Sequence, residues 1–275
     1  MSLAIACVAL IAWLYLLAGR GMFWRGTERD DLAAPAQPAA WPAVIAVVPA
    51  RDEADVVGRA MTSLRLQDYP GAFSIVLVDD NSSDGTADAA RAARGTKPLE
   101  VIAGAPLVDG WTGKLWAQSQ GVTRSAGAMP TYLWFTDADI FHTPDNLRAL
   151  VSRAEAGGLT LTSLMARLTV RTGAERLLIP AFVFFFQMLF PFGWVNDPRN
   201  KAAAGAGGCM LVNRSALELA GGIAAVRHEI IDDCALARKL KSQGPIWLGL
   251  ATRAESLRPY TTIGQIGRMI SRSAY

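Results

Sequence analysis

Two aspartates one residue apart, Asp137 and Asp139, stand just after a short apolar run at 132–135. A buried strand that stops at such a pair projects both acids beyond the carboxyl edge of its sheet, where ligands of open α/β sheets sit. Carboxylates this close repel unless a cation or a proton lies between them. Hard oxygen donors suit Mg2+ or Mn2+, ions usually held by one or two carboxylates together with substrate phosphates. Asp137 and Asp139 are therefore candidate ligands for a divalent metal, and a diphosphate substrate is the partner such an ion implies. Alone, such a pair is more often a solvated turn that caps the next helix, here the one starting near Pro144.

Three more loops weigh against the turn. Pro49-Ala50-Arg51-Asp52-Glu53 follows the β-branched run at 44–48, and Asp79-Asp80-Asn81-Ser82-Ser83-Asp84-Gly85-Thr86 follows the run at 74–78. Gly113-Lys114 precedes a helix after a third run at 99–103. Short apolar runs of this kind read as buried strands, with a further one at 159–164. Helical spacing appears between them at 55–66, 85–94, 115–125 and 144–155. Such alternation predicts a Rossmann-like, mainly parallel sheet with helices on both faces. All four polar loops then leave one sheet edge, the arrangement of a ligand site. A single Asp/Asn/Ser/Gly-rich loop would more often be a turn and helix cap.

The 275 residues allow one sizeable domain with an appendage. Apolar residues make up 51%, high for a soluble enzyme and pointing to a membrane. A net charge of +3 with scattered basic residues gives no reason to expect nucleic acid. Cys7, Cys209 and Cys234 show no paired spacing, and two histidines cannot build a His-rich metal centre. Residues 1–19 carry no charged side chain, and Arg20, Arg25 and Arg29 follow. This predicts a transmembrane anchor with the remaining chain on the cytoplasmic side of the inner membrane. A cleaved signal peptide fits less well, because a basic start is missing. Residues 20–43 then read as a linker, Pro-rich from 30 onward, with the catalytic domain over 44–275. The uncharged, aromatic stretch 177–195 is broken by Pro180, Pro191 and Gly193. It reads as a helix lying at the membrane surface with Trp194 at headgroup level, or as a buried core helix.

The runs VVPARDE, VDDNSSDGT, TGK and FTDAD, in this order, resemble the nucleotide-sugar glycosyltransferases of family two, which have the GT-A fold. Downstream, Gly205 to Val212 resembles the family's acceptor-side loop and strand. Ile231-Asp232-Asp233 resembles its Glu-Asp motif with Asp in place of Glu. Gln265-Ile266-Gly267-Arg268-Met269 resembles the Gln-x-x-Arg-Trp motif, with Met269 where Trp is usual. That departure argues against processive synthesis. Among subfamilies the chain looks most like the hopene-associated glycosyltransferases.

The resemblance implies an inverting, metal-dependent transfer of sugar from a nucleotide-diphosphate donor to a membrane lipid, a hopanoid among the options. Pro49, Arg51 and Glu53 would frame the nucleoside, and Asp80 would accept a hydrogen bond from the base. Lys114, Gln265 and Arg268 would meet the diphosphate, and Asp137 with Asp139 would hold the metal. Gly207, Gly208 and Cys209 would lie on the acceptor side. Asp233, with Asp232 beside it, would be the general base.

Plainer readings stand beside these. Asp232 and Asp233 suit a helix N-terminus, Lys114 a surface, the glycines a hinge, and the cysteines a core. His228-Glu229 lacks the second His of a zincin. A nucleotidylyltransferase would share the sheet and the acids but usually carries a Gly-rich loop after the first strand. A non-catalytic nucleotide-sugar-binding module would have no need of Asp233. Nicotinamide chemistry lacks its G-x-G-x-x-G signature.

Overall fold

The computed structural model describes residues 2–32 and 35–274. The parts of the expected anchor, linker and catalytic domain that fall on Met1, Ala33, Ala34 and Tyr275 lie outside them. Eight strands form one sheet: β1 (Val44–Ala50), β2 (Phe73–Asp79), β3 (Leu99–Ala103), β4 (Tyr132–Thr136), β5 (Ile140–His142), β6 (Leu161–Arg167), β7 (Cys209–Asn213) and β8 (Ile246–Ser256). Among the described residues ten α-helices accompany them: α1 (Ser2–Leu14), α2 (Ala54–Arg65), α3 (Thr86–Arg91), α4 (Gly113–Ser125), α5 (Asn146–Gly157), α6 (Gly173–Leu189), α7 (Phe192–Asn196), α8 (Arg214–Leu219), α9 (Asp232–Lys241) and α10 (Ile263–Ala274).

The strand order is β3-β2-β1-β4-β7-β6-β8-β5. Strands β1 to β4 pair in parallel, as their βαβ spacing demands. The sheet is mixed rather than mainly parallel, because β7 runs antiparallel to both β4 and β6, and β5 antiparallel to β8. The cause lies in α6 and α7. The chain leaves the carboxyl edge after β6, makes this apolar excursion and returns to the same edge, so β7 must run inward. Within β1, Ala46 and Val48 face one core layer and Ile45 and Val47 the other. This two-sided burial explains the unbroken apolar run. Helix α2 seals the first layer with Val57, Ala60, Met61 and Leu64, at the i, i+3, i+4, i+7 spacing of one helical face.

The N-terminal segment corrects the expectation of a transmembrane helix. Helix α1 has 13 residues, about 20 Å of rise against the ~30 Å of a bilayer core. A five-residue π-helical turn, Tyr15–Gly19, follows it. No helix among the described residues is long and apolar enough to cross a membrane. The chain turns back instead: Arg20 donates to the carbonyls of Met188 and Leu189 at the end of α6, and buried Phe23 packs edge-on against Phe184. Beyond it, Arg29 bridges to Leu250, and Asp30 accepts from the Thr252 amide at 2.9 Å. Residues 20–30 are thus tied to α6 at one end and to β8 at the other. Helix α6 begins with a Thr172–Glu175 capping box and buries Ile179 and Gln187. It leaves Leu177, Phe184 and Phe185 at 70%, 50% and 45% exposure.

A buried polar chain joins the end of β4 to the segment entering β7. Asn146 Nδ2 lies 2.9 Å from His142 Nδ1, His142 Nε2 lies 2.8 Å from Thr136 Oγ1, and Thr136 Oγ1 donates to the Gly208 carbonyl at 2.9 Å. An amide donor on Nδ1 puts the imidazole proton on Nε2. Burial pushes the pKa of His142 from 6.5 to about 3. Through that interval the unfolded chain binds a proton that the folded chain does not, so stability falls as pH falls from 6.5 toward about 3. We predict that melting temperature declines from pH 6.5 to about 5, above the carboxylate range, and that His142→Gln lacks this decline. Parallel profiles for the two proteins would contradict it.

Candidate active site

The order of strands reverses beside β1, with β2 and β3 on one side and β4 on the other, a topological switch point where α/β sheets bind ligands. The loops after β1 and β2 are laced together there. Asp52 N donates to Ser82 Oγ at 3.0 Å, and Ser83 N donates back to Asp52 Oδ1 at 2.9 Å. Asp84 accepts from the amides of Ala54 and Thr86, so it caps the starts of both α2 and α3. That part of the loop does the capping its composition suggests. Asp52 and Asn81 adopt positive φ, 51° and 57°, strained backbone of the kind found at ligand clamps.

Asp80 is buried beneath these loops, with Arg51 Nη1 at 3.4 Å from its Oδ2. Pro49 lies in β1 opposite Val78. The start of α4 comes so close that a Cβ on Gly113 would sit 2.5 Å from Asp80 Oδ2. A side chain at position 113 would therefore push the Asp80 carboxylate aside, so the glycine matters here for space and not for backbone freedom.

Lys114 follows, in the first turn of α4, the wrong end of a helix dipole for a cation. Carboxylates hold it there: Nζ is 2.6 Å from Asp137 Oδ1. Burial opposes its charge, but Asp137, Asp232 and Asp233 outweigh that and keep the ammonium well above the ordinary lysine value. On the far side, Gly207 N donates to Asp233 Oδ2 at 2.9 Å. A Cβ on Gly207 would come within 3.2 Å of Lys114 Nζ and 3.5 Å of Asp233 Oδ2. The glycine leaves open the space where amine and acid approach. Asp233 and Asp232 form the first turn of α9, so the helix-start reading and the site reading hold together. Burial, then Asp232, raises the Asp233 pKa, against the opposing pull of Lys114 and the Gly207 and Cys234 amides.

Asp139 is buried and anchored by a residue the sequence analysis missed. Arg258, two residues past β8, donates from Nε to Asp139 Oδ2 at 3.1 Å and from Nη2 to Glu53 Oε1. Ser256 Oγ adds a bond to Asp139 Oδ2 at 3.4 Å. Arg258 lies 119 residues from Asp139 in sequence. Only the register of β8, which carried no recognised motif, brings it there.

Other expected site residues lie elsewhere. Gln265 Oε1 accepts from the Thr261 and Thr262 amides and caps α10. Arg268 is exposed on that helix. Met269 and Ile266 of α10 pack instead on Ile179 of α6. Gly208 meets the β4 end through its carbonyl, while the Cys209 thiol is buried against Trp134 Nε1 at 3.4 Å, with its pKa pushed up to about 12 by burial. Cys209 is a core residue.

Asp137 and Asp139 offer hard carboxylate oxygens from one loop, a donor set that fits Mg2+ or Mn2+. Among the described residues no group of three or more His, Cys, Asp or Glu could hold a metal. An ion here would therefore take its remaining donors from phosphate and water, as Mg2+ commonly does.

The Gly113 contact generates a direct test. Gly113→Ala should weaken binding of UDP or GDP, measured by calorimetry, by roughly tenfold or more, the usual cost of overpacking converted to affinity. Unchanged affinity would remove Asp80 from the nucleotide site.

Solved structures with this fold include a mannosyltransferase from Pyrobaculum calidifontis in complex with GDP-Man and Mn2+. It aligns at TM-score 0.59 and 22% identity over 87% of this chain and 64% of its own. The chain thus spans under two thirds of that enzyme's length. S. aureus TarS 1-349 in complex with UDP-GlcNAc aligns at 0.52 and 14%, over 84% of this chain and 66% of its own. Glucosyl-3-phosphoglycerate synthase from Mycobacterium tuberculosis aligns at 0.50 and 20%, over 84% and 77%. At these identities the likeness is one of fold. No curated protein matches the sequence. The family model described as glycosyl transferase family 2 matches residues 45–220, from β1 through α8 and across the loops that carry Arg51, Asp80, Lys114, Asp137 and Asp139. The chain belongs to glycosyl transferase family 2.

Proposed function

We propose that the chain transfers a sugar from a nucleotide-diphosphate sugar to a hydroxyl of a membrane lipid, inverting the anomeric carbon. One observation carries the reading: Lys114 is bonded to Asp137 of the expected donor site and faces Asp233 across Gly207. A cation suited to a leaving diphosphate and a carboxylate suited to an incoming hydroxyl thus share one small space.

The acceptor oxygen attacks the anomeric carbon as its proton passes to Asp233. The bond from that carbon to the diphosphate oxygen breaks, and its electron pair leaves with the nucleoside diphosphate. Burial and Asp232 raise the proton affinity of Asp233 above that of an ordinary aspartate, which makes it a stronger base. Lys114 stays protonated and meets the negative charge of the departing group. A divalent ion held by Asp137 and Asp139 would add Lewis-acid neutralisation of the same charge. Asp80 and Arg51 bind the nucleoside end.

The lipid acceptor rests on the apolar surface and on the resemblance to hopene-associated enzymes, which puts a hopanoid among the candidate acceptors. Helix α6 starts where β6 leaves the catalytic edge, and it exposes Leu177, Phe184 and Phe185. Helix α1 exposes Leu3, Val8, Ile11 and Trp13 and carries no charge. Arg25, stacked near Trp24, supplies a cation and an aromatic at the rim of this face. That combination suits the anionic cytoplasmic face of an inner membrane, with the protein lying on the interface.

Asp233→Asn separates the roles. Transfer to vesicle-borne lipid should fall by about 100-fold or more, the scale of general-base catalysis, while donor affinity changes by less than about threefold. Loss of donor binding in step with transfer would make Asp233 a donor-site residue, and near-normal transfer would place the base elsewhere.

A further inference from the structure

The guanidinium of Arg258 occupies ground that a metal-dependent reading assigns to an ion. It touches Asp139 through Nε and Glu53 through Nη2, so one cation ties the loop after β1 to the loop after β4. Burial raises the Glu53 pKa, Arg258 opposes that rise, and the nearby Asp139 and Asp137 charges add to it. Three carboxylates therefore sense one another, and the guanidinium compensates them. A dication seeks the same oxygens, and two cations on one carboxylate repel strongly in a partly buried site.

The backbone of Arg258 is fixed while its side chain has room to move. Its amide donates to Ser256 Oγ at 3.2 Å, its carbonyl accepts from Thr169 Oγ1 at 3.2 Å, and the Leu257 amide holds the Asp139 carbonyl at 2.7 Å. Pro259 follows and limits the chain further. The side chain itself is 41% exposed. A planar fork of donors released from Asp139 suits one kind of partner in this site, the oxygens of a diphosphate.

We propose that Arg258 is a resident counter-cation that competes with the divalent ion for Asp139, gives it up when ion and donor arrive together, and then pairs with the diphosphate. The inference rests on the nucleotide-sugar reading above. It makes metal binding weak without nucleotide and strong with it, and by linkage the ion strengthens nucleotide binding by the same factor.

Calorimetry with Mn2+ alone, and with UDP or GDP alone and together with Mn2+, tests this on the full chain. In Arg258→Gln, Mn2+ alone should bind roughly tenfold tighter than in wild type, and the nucleotide roughly tenfold weaker, the scale of one charge-assisted hydrogen bond. A residue that merely held the fold would weaken both. Both ligands moving in the same direction, or Mn2+ affinity unchanged, would overturn the proposal. Arg258→Lys keeps the charge and most of the stem, which guards against a Gln variant that fails to fold. It should hold Mn2+ within about twofold of wild type and still lose nucleotide affinity, because Lys lacks the fork. A Lys variant that gains Mn2+ affinity tenfold or more, or keeps full nucleotide affinity, would also overturn the proposal. Wild-type protein that binds neither Mn2+ nor nucleotide would sink the functional reading as well. Wild type that binds both, with variants that fail these signs, sinks the Arg258 role alone.

Discussion

Carboxylates brought to one edge of a sheet repel unless cations are built in among them, and this constraint organises the molecule. Glu53, Asp80, Asp137 and Asp139 arrive from three strand ends, and each contacts a basic side chain: Arg258, Arg51, Lys114 and Arg258 again. These partners come from three different places in the chain, the loop after β1, the start of α4 and the segment after β8. The sheet must therefore assemble over most of the chain before the charges balance. Such an edge is costly to maintain as a mere turn cluster, and the proposed exchange of resident cations for a charged substrate would give that cost a use.

The reversed strand β7 gives the site its second half. Because it enters the sheet from the carboxyl edge, its leading glycines face the end of β4 rather than the opposite side of the domain. The chain from Asn146 through His142 and Thr136 to the Gly208 carbonyl holds that entry in register. Gly207 then lies between Lys114 and Asp233, where any side chain would fill the space the chemistry needs. The excursion that forces the reversal, α6 and α7, also carries the apolar face proposed to meet lipid. One topological detail thus links the geometry of the base to the location of the acceptor.

Much of this was legible in the sequence because it is local. The strand at 99–103 is found where its apolar run lies, and β1, β2 and β4 extend their predicted runs by one to two residues. Asp80, Lys114, Asp137 and Asp139 were visible as polar groups following such runs. What departs from the local reading is non-local or depends on context. An uncharged N-terminal stretch reads as a membrane anchor by composition, yet the α-helix ends at Leu14 and Arg20 bonds back to α6. Gln265 was matched by motif spacing, and its amide oxygen accepts from backbone amides at the start of α10, a local bond that motif spacing does not foretell. Arg258 had no signal at all, since its meaning depends on the end of β8 lying against the loop after β4.

The proposed reaction transfers a sugar to a lipid hydroxyl with inversion at the anomeric carbon. Its most direct test incubates the protein with Mn2+, labelled nucleotide sugars and lipid vesicles containing hopanoid alcohols, then reads the anomeric coupling of any glycolipid by NMR. The expected product is a single glycolipid whose anomeric configuration is opposite to that of the donor. A product that retains the donor configuration, or donor consumed with no sugar on any lipid, would contradict it.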